Sequence, residues 1–168
     1  MKTIEALLHD HPFFAGMNDE YIRLIAGCAV NHVFNPQEYI ARENDPADYF
    51  YLIRNGRVSI EISQPNYGAV ILQTLQDGDI CGWSWLFPPH RWTFDAKTQT
   101  QVQTLKLDGR CLRTKCANDT NLGFDLMQRF ARIMTERLQA TRLQLLDVYG
   151  YSQNKKNHET QNKKDQNP

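Results

Sequence analysis

The chain carries no net charge, because its 19 Lys and Arg are matched by 19 Asp and Glu. Without an overall field there is no long-range pull toward nucleic acid or an anionic membrane, and any such contact must be local. Long apolar runs are missing too: nothing approaches the roughly 18 residues that a membrane span requires. The opening Met1-Lys2-Thr3-Ile4-Glu5-Ala6-Leu7-Leu8-His9-Asp10 turns polar and acidic before a secretory apolar region can form. These absences predict a cytoplasmic protein with no membrane segment. Cys28, Cys81, Cys111 and Cys116 lack the Cys-x-x-Cys spacing of a zinc or redox site. With no export signal they are expected to be four buried or half-buried thiols. No GxSxG elbow surrounds Ser84. No His-x-His pair lies inside a strand-like run, since His9, His11, His32, His90 and His158 fall mostly in helices, a turn or the tail. A metal-dependent enzyme of the cupin type needs two or three His and a carboxylate converging from neighbouring strands. The reading is therefore non-enzymatic, with no metal.

What the chain does have, over 168 residues that are 41% hydrophobic and 23% charged, is material for one soluble core. In residues 1–29, Leu7, Leu8, Phe13, Phe14, Ile22, Leu24, Ile25 and Ala26 cluster at helical spacing, broken by Pro12 and Gly16. Two short helices with a turn between them are expected, the second capped by Asn18 or Asp19. From residue 30 to 117 the pattern becomes strand-like. Val33-Phe34, Tyr39-Ile40, Phe50-Tyr51-Leu52-Ile53, Val58-Ser59-Ile60-Glu61-Ile62 and Val70-Ile71-Leu72 alternate with turns rich in Asn, Asp, Pro and Gly. Val58, Ile60 and Ile62 alternate with Ser59, Glu61 and Ser63, which puts one face of that strand in the core. Asn55-Gly56 is the strongest hairpin signal, of the type I′ kind. Many short strands at roughly ten-residue spacing describe a mainly β fold with flanking helices: a jelly roll, that is, a double-stranded β-helix roll.

After a short connector, Asn118-Asp119-Thr120 offers caps for a long helix over 118–150, expected to end near Tyr149-Gly150. Met127, Phe130, Met134, Leu138, Thr141, Leu145 and Val148 follow one another at about 3.5 residues, the coiled-coil period. A helix this long has more apolar surface than one small domain covers, so a homodimer through it is expected. Leu122, Leu126 and Ile133 lie on another side. Residues 151–168 have no apolar periodicity and are expected to be a disordered tail.

The segment from Leu75 to Ala96 holds all three tryptophans, Trp83, Trp85 and Trp92. Gly82 permits close backbone approach, and Trp83 to Phe87 leave room for one helical turn that Pro88-Pro89 must end. A helix start presents free N–H groups to an anion, and Arg91 can add a bidentate contact to a phosphate. Glycine, helix start and arginine predict a small phosphate cradle. This arrangement resembles the cyclic-nucleotide-binding domain family, the effector domain of catabolite-activator and FNR-type regulators. Glu43 to Val58 resembles the family's loop, strand, glycine turn and strand, Gly78-Asp79-Ile80-Cys81-Gly82 the start of its phosphate-binding cassette, and the long helix its C-helix.

The resemblance implies a ligand-sensing regulatory module, with Gly82, Trp83, Ser84, Arg91, Trp92 and Thr93 as the ligand-binding set. It implies no required cofactor, and cyclic AMP, cyclic GMP or another small anionic molecule as ligand. The cassette departs from the family pattern. Where a Glu normally accepts from the ribose 2′-hydroxyl stands Trp83, which only donates. Where small residues follow the arginine stand Trp92 and Thr93. Three readings stay open: aromatics closing a degenerate pocket in a protein-interaction module, a modified pocket for a planar or anionic molecule, and an intact cyclic AMP response. The family's winged helix after the C-helix takes roughly 60 to 80 residues. Only Tyr151 to Pro168 remain, so DNA binding by this chain alone is not expected, and a downstream protein partner is.

Overall fold

The computed structural model describes residues 2–66 and 68–164, with the backbone alone from 148 onward. Three capped helical pieces open the chain. Thr3 Oγ1 accepts from the amide of Ala6 at the start of α1 (Ile4–His9). His11 Nδ1 accepts from Phe13 N at 3.3 Å before a 3-10 turn over Pro12–Phe14. Asn18 Oδ1 accepts from Glu20 N at 2.8 Å before α2 (Asp19–Ala26), which buries Ile22 and Ile25.

Eight strands follow, forming two antiparallel four-stranded sheets. One has the order β1-β8-β3-β6, with β1 (Ala29–Phe34), β8 (Val102–Asp108), β3 (Tyr49–Asn55) and β6 (Ile80–Cys81). The other has the order β2-β7-β4-β5, with β2 (Tyr39–Ala41), β7 (Asp95–Thr98), β4 (Val58–Gln64) and β5 (Gly68–Leu75). Their facing sides share a core of Phe34, Tyr51, Ile53, Val58, Ile60, Leu75, Cys81, Trp92 and Val102. Each large apolar side chain so buried contributes roughly 1.5–3 kcal/mol. This is the expected β-roll. Val58 and Ile60 point inward as their alternation requires, but Ser59 and Glu61 are buried as well. Ser59 donates to the Glu61 carboxylate and accepts from Gln99 Nε2 at 2.6 Å, which satisfies the polar face of the strand.

Four expectations need correction. Asn55-Gly56 is not a hairpin turn: β3 and β4 belong to different sheets, and Gly56 (φ +111°) turns the corner between them. A Cβ there would lie 3.0 Å from Val102 Cα, and the Asp77 carboxylate accepts from Gly56 N at 2.8 Å. β4 instead pairs along its length with β5, with Asn66 and Gly68 both at φ +73° between them. Second, the connector after β8 is a helix, α3 (Gly109–Asn118), capped by Asp108, which accepts from Cys111 N at 2.8 Å. Third, Cys28 and Cys111 are not thiols but a disulfide with Cα atoms 5.8 Å apart, while Cys81 and Cys116 are not disulfide-bonded. Sequence spacing carried no sign of this, because 83 residues separate the pair and only the fold brings α3 beside the end of α2.

The fourth correction concerns α4 (Thr120–Lys164), whose first amides, Asn121 N and Leu122 N, donate to Asp119 Oδ1. It runs through Gly150 into the segment expected to be a disordered tail. One helical glycine costs only about 1 kcal/mol, and the Gln, Lys and Glu that follow are acceptable helix formers with no proline before Pro168. Residues 165–168 lie outside the described residues. Phe130 also leaves the stripe assigned to it. It is fully buried, four residues on from buried Leu126, whereas Phe124, Met127, Leu138 and Leu145 are exposed. The outward heptad therefore reads Phe124, Met127, Ala131, Met134, Leu138, Thr141, Leu145, of which Met134 is half-buried and the others exposed, with Val148 falling where side chains are not described.

Burial holds the buried His11 below the ordinary histidine pKa, and protonating its ring would also remove the lone pair that Phe13 N uses. The unfolded chain takes up this proton near the ordinary value of 6.5, the folded chain only at lower pH, so stability falls as pH drops below that value. Urea melts from pH 7 to pH 5 are expected to show falling midpoints. A His11→Asn variant, which keeps a capping oxygen but does not titrate, is expected to flatten the fall; an identical slope would contradict this role.

Candidate functional site

The cassette begins where β6 ends. Gly82 sits at φ +96°, a conformation that side chains rarely adopt, and a Cβ on it would lie 2.7 Å from Cζ3 of Trp92 and closer still to Cη2. The indole of Trp92 thus rests directly on the glycine backbone. It is 4% exposed and part of the core between the sheets, edge-on to Phe94 with ring centroids 6.0 Å apart.

The strand-like segment that carries Trp92 is held by the loop before β3. Asn44 N donates to Trp92 O at 2.8 Å, Trp92 N to Asp45 O at 3.0 Å, and Ala47 N to His90 O at 2.7 Å, while Pro46 and Arg91 form a β-bridge. This alternation turns Trp92 inward and its neighbours Arg91 and Thr93 outward. Arg91 donates through Nη1 to the Asn44 carbonyl at 2.6 Å and is exposed.

The helical turn expected over Trp83–Phe87 does not form. Leu86 N reaches Trp83 O at 3.0 Å, and His90 N reaches Phe87 O at 2.8 Å, which makes two successive turns. Pro88 and Pro89 have no amide hydrogen to extend the first, and Pro89 follows a cis bond. The anion site that a helix start would have supplied is therefore not built. Of the six residues assigned to ligand binding, the fold brings Gly82 and Trp92 into contact with each other, leaves Trp83 and Ser84 half-buried, and puts Arg91 and Thr93 at the surface.

Sequence reasoning passed over Trp85 as a separate anchor. It is fully buried and stacks on Phe50 at 4.8 Å with an interplanar angle of 9°. Its carbonyl accepts from Arg113 Nη1 of α3 at 2.6 Å, and Gly109 at the start of α3 packs so tightly that a Cβ would lie 2.9 Å from Trp85 Cβ. The cassette is thereby tied to α3. Tyr51, on the core side of β3, has its hydroxyl pKa pushed far up by burial and stays protonated. Among the described residues no group of three or more His, Cys, Asp or Glu side chains converges on a possible metal position, and no helix is long and apolar enough to cross a membrane.

A two-sheet roll with a glycine-led loop between β6 and β7 and a long helix after it is the architecture of regulatory ligand-receptor domains. The chain belongs to the cyclic nucleotide-binding domain family, whose family model matches residues 31–119. It is 28% identical over 106 residues to a CRP-like cAMP-activated global transcriptional regulator of Mycobacterium tuberculosis, covering 63% of this chain and 46% of that protein. It is 35% identical over 80 residues to cyclic nucleotide-gated ion channel 18 of Arabidopsis thaliana, covering 46% of this chain and 11% of the channel. The chain thus spans less than half the length of either relative. Among solved structures, a putative cyclic nucleotide-binding protein of Geobacter metallireducens superposes with a TM-score of 0.73 at 29% identity, over 82% of this chain and 99% of that one.

Gly82→Ala is expected to destabilise the protein by about 2–4 kcal/mol, the sum of a left-handed side chain and an overpacked indole. The urea midpoint of the variant measures this. A change near zero would mean that Trp92 does not lie on Gly82.

Proposed function

We propose that the chain is a non-enzymatic regulatory module whose cassette is filled from within by Trp92, and which acts through protein contacts rather than as a receptor for cyclic AMP or cyclic GMP. The observation that carries this reading is the buried indole of Trp92 on Gly82. A ligand phosphate brought to that glycine would have to expel the indole. Removing a buried Trp side chain from its site costs about 3–5 kcal/mol, which corresponds to roughly a hundred- to several-thousandfold in affinity. Trp83, a donor only, adds a further loss at the position where the family pattern has a carboxylate. Ordinary micromolar binding thereby moves to roughly the millimolar range. In thermal-shift and calorimetric titrations with cyclic AMP and cyclic GMP at tens of micromolar, where an ordinary binding domain is saturated, the wild type is expected to show neither stabilisation nor heat; a shift of several degrees would overturn the reading.

A modified ligand-sensing pocket is the second reading, and the exposed guanidinium of Arg91 favours it, since it donates to the Asn44 backbone carbonyl and leaves donors facing outward. On this reading a small anionic molecule meets Arg91, with Trp83, Ser84 and Thr93 around it, after Trp92 swings away. Trp92→Ala would then gain binding of an anionic nucleotide that a second change, Arg91→Ala, removes.

Both readings use α4 as the output, through a homodimer. Phe124, Met127, Leu138 and Leu145 expose apolar surface along one heptad stripe, and pairing two such stripes buries it. The module then presents a downstream protein partner with a two-fold surface in the cytoplasm, without binding DNA by itself. Light scattering is expected to give the mass of a dimer for the wild type and of a monomer for Leu138→Glu; equal masses would remove α4 as the dimer seam.

A further inference from the structure

We infer that the Cys28–Cys111 disulfide is a thiol–disulfide exchange site, opened in the folded protein by a dithiol reductant, and that its state is relayed through α3 to the cassette. This inference does not depend on what the cassette binds. The bond joins the corner between α2 and β1 to the first turn of α3. It borders a surface groove of about 330 Å³ lined by Cys28, Tyr49, Lys106, Asp108 and Cys111, among others. Both cysteines line the groove, and Cys111 is the less buried residue of the two. Lys106, with its ammonium 3.8 Å from the centre of the Tyr49 ring, puts positive charge on the groove wall, where it favours an approaching thiolate.

The exchange balances as a two-electron transfer. A thiolate of the reductant attacks Cys111 Sγ, and a mixed disulfide forms as the bond to Cys28 breaks. Cys28 leaves as a thiolate and takes up a proton. The reductant's second thiol, losing its proton, attacks the first sulfur and closes a disulfide within the reductant. Cys111 departs as a thiolate and takes up a proton, because the Asp108 carboxylate that accepts from Cys111 N already occupies the start of α3. Cys116 is a poor competitor, because burial pushes its thiol pKa up.

The consequence lies in how α3 is held. Besides the disulfide, Lys115 Nζ donates to Leu24 O of α2 at 2.7 Å, and on another side Arg113 donates to the cassette carbonyl of Trp85 at 2.6 Å. Opening the disulfide removes the one covalent tie in this set and leaves α3 held by side-chain hydrogen bonds and packing. Trp85, stacked on Phe50, is then the reporter of any movement of α3.

The test uses the intact wild-type protein with dithiothreitol as the reductant, urea kept below the unfolding transition, and alkylation mapped by mass spectrometry. The expected result is that Cys28 and Cys111 become alkylated together at a rate proportional to dithiothreitol and insensitive to low urea. A change in tryptophan emission should develop at the same rate and reverse on reoxidation. A Trp85→Phe variant, reduced in the same way, is expected to lose most of that change, and Cys116→Ser is expected to keep it. Opening that occurs only as the chain unfolds, with a rate that climbs with urea, would overturn the exchange site and leave a purely structural bond. Opening in the folded state without an emission change would overturn the relay.

Discussion

The contact between the indole of Trp92 and the backbone of Gly82 orders the cassette of this roll. A glycine at φ +96° exists to let something come close. Here the close neighbour is a side chain of the same chain, held in register by three backbone hydrogen bonds to the loop from Asn44 to Ala47. The hollow between the sheets is thereby part of the hydrophobic core, and the residues that would otherwise face a ligand are divided between the interior and the surface.

That division follows from strand geometry. Arg91, Trp92 and Thr93 run as an extended segment, so consecutive side chains point to opposite sides. If Trp92 faces in, Arg91 must face out, and it finds the Asn44 carbonyl at 2.6 Å. The inward Trp92 and the outward Arg91 are one consequence of the extended backbone. Trp85 serves a different end: stacked on Phe50 and joined through its carbonyl to Arg113, it connects the cassette to α3, which leads through Asp119 into the first turn of α4. The Cys28–Cys111 bond fixes the same helix from the opposite direction. The first helix after the roll is thus held both by the cassette and by the corner before β1.

The roll was legible because its evidence is local and periodic. Val58 and Ile60 alternate with polar residues, Asn18 precedes α2 as a cap, and Gly82 marks the cassette; all three behave in the structure as their residue types require. What could not be read depended on distant partners. Asn55-Gly56 has the composition of a hairpin, yet the chain passes there from one sheet to the other, a matter of topology that a dipeptide does not encode. Pairing Cys28 with Cys111 needs the contact of α2 and α3. The one-residue slip between Phe130 and Ala131 arose because a 3.5-residue average accommodates either; only burial separates them. In the candidate site, residue types single out one segment, but whether Trp92 stacks on a ligand or replaces it depends on the direction of a single side chain.

The most direct measurement is fluorine NMR of protein labelled with fluorotryptophan, with the three resonances assigned by single Trp→Phe changes. A self-filled cassette predicts that the Trp92 signal stays in place, broad and buried, as cyclic AMP is raised to saturation of an ordinary binding domain. A Trp92 signal that moves to a solvent-exposed position with added nucleotide would contradict it.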